Sequence, residues 1–163
     1  DFKDFNGQIN KQKGEDFNQE VAELIASLPA TAVKSCVKKI GKLRVPGDID
    51  VLFVVRDTRT IYVVECKNFE MARTPYELNA ELTKFFEGTE QRRSALDKHL
   101  ARVSWVKEKL VEVLAVFEVC DIAGWKVVDL IVTSAELMTP FIRVCPTRVV
   151  SYAQLCEEGL PAE

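Results

Sequence analysis

Four charged side chains near the middle of the chain have the types and the spacing that metal chemistry requires. Asp48 and Asp50 begin one apolar run, and Glu65 and Lys67 end the next, within the segment GDIDVLFVVRDTRTIYVVECK (47–67). Because side chains alternate between the faces of a strand, each pair lies on one face of its own strand. The segment therefore predicts carboxylates and an ammonium group that converge at one end of two strands.

The connection between these strands decides whether the charged groups meet. A single turn-like segment, RDTRT, separates the apolar runs, which predicts an antiparallel hairpin of residues 48–56 and 60–67. An even number of connecting residues puts the side chain of Asp50 on the face of Glu65 and Lys67, whereas an odd number sends it to the opposite face. The metal site therefore depends on an even connection.

Such a cluster suits a hard divalent cation, because magnesium prefers oxygen ligands in octahedral geometry and keeps several of its waters. The predicted ligands are Asp50, Glu65 and the backbone carbonyl of Cys66, for Mg²⁺ or Mn²⁺, with Lys67 beside the bound water. The competing interpretation is structural. In it, the aspartates cap a strand entrance, while Glu65 and Lys67 form an ordinary ion pair at the margin of a sheet.

The order of Asp50, an apolar strand and then Glu65-Cys66-Lys67 resembles the signature of the PD-(D/E)xK nuclease superfamily, the restriction-endonuclease-like fold. The lead-in GDID and the closing ECKN are most similar to the branch that contains Mrr-type, NERD-type and archaeal Holliday-junction-resolving nucleases. The proline of the signature is displaced, because Pro46 precedes the glycine. The resemblance implies a magnesium-dependent nuclease, an endonuclease or an exonuclease, that hydrolyses DNA in restriction, repair or defence.

Two further catalytic positions are implied by the resemblance and match it less closely. The family's first helix carries an acid after an aromatic residue, but here Phe17 is followed by Asn18, so Glu20 is the predicted substitute. The superfamily also places a glutamine near the start of the helix after the motif, and Gln91 is the candidate. A solvated surface residue is the alternative for both. The number of metals is left open, with Glu20 or Asp48 as the ligand that a second metal would share.

The elements around the motif predict an α/β domain with an α-β-β-β-α-β core, a mixed central sheet flanked by helices. Before the motif, the pattern predicts a helix over 15–28 and a strand over 33–44, and the hairpin follows. After the motif, it predicts a short helix from Pro75 that Gly88 ends, a long helix over 90–117 and a buried strand over 125–133 parallel to a motif strand. An edge strand near 148–152 and a terminal helix from Ser151 complete the order. In this order the motif lies at the centre of the sheet.

Length and composition place the chain among single-domain proteins. Its 163 residues, of which 47% are hydrophobic, can build one core but not two. We expect a polar extension over 1–13 and one nuclease-like domain over 14–163, part of a longer protein with fused or partner domains. The absence of an 18-residue apolar run and of a signal pattern predicts no membrane contact and a cytoplasmic location.

The cysteines and the single histidine narrow the chemistry further. The five cysteines are odd in number and form no C-x-x-C pair, which predicts reduced thiols and no zinc site. Cys66 is predicted to be a small buried hydrophobe rather than a nucleophile. His99 is the only histidine, which excludes a site with two histidine ligands, and a surface or edge position is expected for it.

The charge distribution allows a nucleic-acid partner despite a formal net charge of −3. Basic residues cluster before the motif and again after it: Lys34, Lys38, Lys39, Lys42 and Arg44, then Arg92, Arg93, Lys98, Arg102, Lys107 and Lys109. Each cluster is either a phosphate track or a solvated face. DNA is the expected partner, ahead of RNA, and a homodimer is left open. The alternative function is a catalytically inactive nuclease-like module that binds DNA or a protein.

Overall fold

A five-stranded mixed sheet forms the centre of the protein. This computed structural model describes the backbone of residues 2–29, 31–69 and 71–161, and side chains from residue 11 onward within those ranges. The strands are β1 (Thr31–Ile40), β2 (Leu43–Val55), β3 (Thr60–Lys67), β4 (Lys126–Thr133) and β5 (Arg148–Ser151), and they lie in the sheet in chain order. The helices are α1 (Phe2–Ala26), α2 (Pro75–Leu82), α3 (Ala95–Glu108), α4 (Leu110–Ala115), α5 (Thr139–Ile142) and α6 (Tyr152–Glu158). The predicted α/β class and mixed sheet are confirmed.

The hairpin of β2 and β3 has the register that the predicted site requires. Residues 56–59 connect the two strands, which is an even number. Val51 pairs with Val64 in the antiparallel ladder, so the same register carried one residue further places Asp50 opposite Glu65. The strand β4 pairs with β3 in parallel, as predicted, and β5 extends the sheet in the same direction.

Different helices cover the two faces of the sheet, α1 on one face and α3 with α4 on the other. The face toward α1 buries Val51, Phe53, Tyr62, Val64, Leu130 and Val132 against Phe17, Val21 and Ile25. The face toward α3 and α4 buries Leu52, Val54, Ile61 and Val63 against Val103, Val106, Val113 and Leu114. Phe17, Val21 and Ile25 follow a four-residue spacing, which places them on one side of α1. Asp50, Glu65 and Lys67 belong by strand alternation to the α3 face.

The segment between β3 and α3 begins largely as predicted. Pro75 starts α2, and the Thr74 side chain accepts a hydrogen bond from the Glu77 N–H. A π-helical turn over Thr83–Glu87 continues it to Gly88, the residue expected to end this helix.

The single long helix predicted over 90–117 does not form: the observed helix begins later than predicted and is interrupted. Thr89 and Arg92 exchange two backbone hydrogen bonds of 2.8 and 3.1 Å, and Ser94 then caps α3 through the Asp97 N–H. Gly88 permits this loop because its φ is +69° and a Cβ there would lie 2.6 Å from the Arg92 carbonyl oxygen. A break at Lys109 separates α3 from α4. The loop of Arg92 and Arg93 therefore folds back toward the end of the hairpin.

The ends of the domain differ more from the prediction than its centre. Helix α1 begins at Phe2 rather than at Glu15, so the polar opening segment is helical where the structure describes it. The strand β1 covers Thr31–Ile40 rather than 33–44. The Ser151 cap of the terminal helix is confirmed. All five cysteines are free thiols. Among the described helices, none combines the length and the apolar character that crossing a membrane requires.

Candidate active site

Asp50, Glu65 and Lys67 meet at one end of the hairpin. Lys67 Nζ lies 2.5 Å from Glu65 Oε1, and Asp50 Oδ2 accepts a hydrogen bond of 2.9 Å from the Cys66 N–H. The Glu65 side chain is 4% exposed, whereas that of Lys67 is 31% exposed. The structure therefore assembles the predicted acid pair with its lysine, and Lys67 is the member that solvent reaches most easily.

Arg102 on α3 completes the cluster, a role that the sequence analysis missed. Its Nη1 pairs with Glu65 Oε2, the carboxylate oxygen that Lys67 leaves free. Gly47, with φ at +91°, makes room for the guanidinium, because a Cβ at that position would lie 3.3 Å from Arg102 Nε. A sequence signal did exist: His99, Arg102, Val103 and Val106 follow helical spacing, so Arg102 falls on the buried side of α3.

His99 lies one turn before Arg102 and is fully buried rather than at the surface or an edge. Among the residues that the structure describes, neither of its ring nitrogens has a hydrogen-bond partner. Burial lowers the pKa of His99 and outweighs the opposing influence of Glu65 and Asp129, so the ring is held neutral at pH 7. A neutral imidazole therefore lies one helical turn from Arg102 on the buried side of α3.

The pKa of Asp50 is raised by its surroundings. Burial raises the pKa of Asp50 to about 6, and repulsion from Glu65 acts in the same direction. Lys67, the Cys66 N–H and Arg102 lower it, but not enough to restore the ordinary value. An additional cation stabilises the charged form of a buried carboxyl group that lies beside a second carboxylate. Carboxyl groups with perturbed pKa values are concentrated at functional sites.

The donor set fits a hard divalent ion held by two carboxylates. Asp50 and Glu65 supply them, and magnesium commonly binds through one or two carboxylates and retained waters. No group of three or more His, Cys, Asp and Glu side chains suited to a metal occurs in the described part of the chain. Both oxygens of Glu65 contact cations, so an ion would have to take the place of Lys67 or Arg102 at one of them. The Cys66 carbonyl stays a predicted ligand.

Three other candidate residues are not brought into the cluster. Glu20 is exposed on α1, which covers the other face of the sheet, and its charge acts on Tyr152 instead. Gln91 is exposed in the turn before α3, because the helix begins later than predicted. Asp48 is also exposed and lies 3.7 Å from the ammonium group of Lys38.

The thiol of Cys66 takes no part in this cluster. It is buried in the core on the α1 face, 5% exposed, among Val64 and Phe17. Burial raises the pKa of the Cys66 thiol well above its ordinary value, so the thiol stays protonated. The predicted buried position of Cys66 is confirmed.

A cavity of about 620 Å³ opens beside Glu65 and Lys67, and we call it the cationic cavity. Its charged lining consists of one acid, Glu65, and six cations: Lys67, Lys84, Arg92, Arg93, Lys98 and Arg102. Four of these cations come from the second basic cluster of the sequence. Concave surfaces lined by one sign of charge attract ligands of the opposite sign, so this cavity suits phosphate groups.

One of the comparisons with known proteins identifies a family. Residues 9–144 match the family model described as "Upx-like: Anti-phage protein Upx-like", a span that contains the hairpin, α3 and the whole lining of the cationic cavity. No curated protein and no solved structure shows a significant match. Since the family match covers most of the 163 residues, the chain belongs to the Upx-like family of anti-phage proteins.

Proposed function

We propose that this anti-phage protein is a magnesium-dependent nuclease that hydrolyses phosphodiester bonds of DNA. The observation that carries the proposal is the meeting of Asp50, Glu65 and Lys67 on one face of the hairpin, beside the cationic cavity. The resemblance of these residues to the PD-(D/E)xK signature supports the same reaction. Membership of a phage-defence family supplies a setting in which cutting of invading DNA is useful.

Each residue of the cluster has a distinct role in this proposal. Asp50 and Glu65 hold the metal through their carboxylates. When bound, magnesium supplies Lewis-acid polarisation of a phosphoryl oxygen and a water of lowered pKa. Lys67, which lies at the edge of the cationic cavity, stabilises the negative charge that develops on the phosphate. Arg102 is held between Glu65 and Gly47, and it orients the Glu65 carboxylate.

A second function is favoured by the same ion pairs. The two oxygens of Glu65 are neutralised by Lys67 and Arg102, so the carboxylate is already compensated without a metal. Neither Glu20 nor Gln91 reaches the cluster to add a further ligand. This arrangement fits a catalytically inactive module that grips DNA phosphates in the cationic cavity.

Plasmid cleavage separates the two functions. The parent protein should nick or cut DNA with Mg²⁺ or Mn²⁺ and not with EDTA, and Asp50→Asn and Glu65→Gln should abolish the cleavage. Asp57→Asn is the matched control, because Asp57 is an exposed acid at the opposite end of the same hairpin and should not affect the rate. Salt-dependent DNA binding without cleavage in any metal would support the inactive module instead.

A further inference from the structure

Two cavities adjoin at one aromatic side chain. Phe69, two residues after Lys67, lines both the cationic cavity and a neighbouring cavity of about 800 Å³. Lys84 also lines both, so the two side chains form the divide between the cavities. The second cavity extends from this divide to Lys13 on α1 and Arg73 before α2. We call these two adjoining cavities together the groove, and its cationic cavity contains Glu65 and Lys67 of the candidate site.

Hydrogen bonds fix the backbone at Phe69, and a neighbouring aromatic ring packs against its side chain. The Phe69 N–H donates a hydrogen bond of 3.0 Å to Ser134 Oγ, and the Ser134 N–H donates one of 3.0 Å to the Lys67 carbonyl. The ring packs edge-on against the fully buried Phe85, with centroids 6.2 Å apart and an interplanar angle of 64°. A half-buried aromatic ring with a fixed backbone is a preorganised contact surface, because little ordering is needed when a ligand binds.

The second cavity also suits phosphate, although two of its described lining residues, Glu77 and Glu81, are acids. Glu81 is buried and accepts a hydrogen bond of 2.6 Å from Thr139 Oγ1. Glu77 accepts hydrogen bonds from the Arg73 and Thr74 N–H groups at the start of α2. Each carboxylate is held in place by these hydrogen bonds and keeps its charge. Among the described lining residues, the cations Lys13, Arg73 and Lys84 outnumber the two acids.

The combination of a cationic groove and a fixed aromatic ring is typical of proteins that bind single-stranded nucleic acid, in which bases stack on rings while the backbone follows the positive charge. In a duplex the faces of the bases are covered by their neighbours, so a ring can contact a base only when that base is unstacked. Each cavity also has the volume of a small-ligand site, about 300–1,000 Å³. That volume suits individual nucleotides of one strand.

We propose that this groove binds a single DNA strand, with an unpaired base against Phe69 and the flanking phosphates on the cations of both cavities. The inference rests on the proposed function and deepens it, because it assigns single-stranded or unpaired DNA as the substrate class. The strand passes Lys67 and Glu65 within the cationic cavity. Duplex DNA reaches this groove only where its strands are separated.

The test is binding by fluorescence anisotropy, with labelled single-stranded DNA, the matched duplex and single-stranded RNA of the same sequence, in EDTA so that nothing is cut. The parent should bind single-stranded DNA at least about tenfold more tightly than duplex. Phe69→Leu should weaken single-stranded binding roughly tenfold and leave duplex binding unchanged, while Phe69→Trp retains it.

Phe86→Leu is the matched control, because Phe86 also packs edge-on against Phe85, at 4.7 Å, but lines neither cavity. Its binding should equal that of the parent. The inference is overturned if the parent prefers duplex, if RNA binds more tightly than DNA, or if the two leucine variants bind alike. Magnesium-dependent cutting of duplex alone would overturn the strand assignment and keep the nuclease. Strand-selective binding without cutting in any metal would keep the groove and remove the nuclease.

Discussion

The two faces of the β2–β3 hairpin are built from the same strands but differ in their chemical character. The α1 face stays apolar along its whole length, from the stacked pair Phe53 and Tyr62, with centroids 4.6 Å apart, to Cys66. The α3 face is equally apolar as far as Leu52 and Val63, and it then changes to charged groups. Packing alone does not require this change, because buried charges cost free energy. The contrast singles out the charged end of the α3 face, where the proposed chemistry lies.

The apolar face should be where substitutions destabilise the fold most. Phe53→Ala removes a fully buried ring and its stacking contact with Tyr62, so the free energy of unfolding should fall by about 3–5 kcal/mol. Tyr76→Ala is the control, because that ring is 83% exposed and its loss should change stability by less than about 0.5 kcal/mol. Urea unfolding measures both. A small loss at Phe53 would contradict the division between the faces.

The charged face should gain stability when an acid is removed. Asp50→Asn in EDTA should stabilise the protein at about pH 7.5 by up to about 3 kcal/mol, because the folded protein holds Asp50 with a pKa of about 6 rather than the ordinary 3.8. A raised pKa means that the folded state binds the proton more tightly. Parent stability therefore falls as pH rises from about 4 to above 6, and the advantage of the variant appears over that range.

Urea unfolding of both proteins at a series of pH values measures this difference, which should vanish below about pH 4. Magnesium should then reverse the ranking by stabilising the parent more than Asp50→Asn. Equal stabilisation of the two by magnesium would show that Asp50 is not a ligand.

Replacing His99 should have a smaller effect on the free energy of unfolding than the two preceding substitutions. Its two ring nitrogens are buried with no hydrogen-bond partner in the described part of the chain, so His99→Leu should raise stability by about 1 kcal/mol. Thermal unfolding measures this change, with Leu100→Ala on the same helix as a control that should destabilise. A loss of stability at His99 would indicate a polar contact that keeps the imidazole in place.

Sequence periodicity was sufficient for the centre of the fold because it reports which face of an element is buried. The alternation in β2 and β3, with an even connection, placed Asp50, Glu65 and Lys67 together, and the β-branched run of β4 identified its neighbour. These predictions depend on local spacing within one element or one hairpin. Such spacing survives folding, because strands and short turns preserve it.

The parts that failed depend on contacts between distant elements. The pairing of Arg102 with Glu65 joins residues 37 positions apart, and no spacing within α3 encodes it. The start of α3 was displaced by the Gly88 loop, which moved Gln91 into a turn. Glu20 was chosen from a family pattern, but the apolar side of α1 turns it to solvent on the other face.

Single-turnover cleavage by Lys67 variants tests the central claim most directly. With Mg²⁺ and a labelled DNA that the parent cuts, Lys67→Ala should reduce the rate by at least about a hundredfold, since it removes charge stabilisation used in the transition state. DNA binding in Ca²⁺ should be largely retained. Lys67→Arg should restore little, because a planar guanidinium does not reproduce a compact ammonium.

Lys107→Ala is the control, because Lys107 is an exposed lysine of α3 outside the cationic cavity, and it should cut at the parental rate. Lys67→Ala should therefore cleave DNA much more slowly than the parent, while Lys107→Ala keeps the parental rate. The nuclease proposal is contradicted if Lys67→Ala cuts as fast as the parent, or if the parent cuts no nucleic acid with either magnesium or manganese.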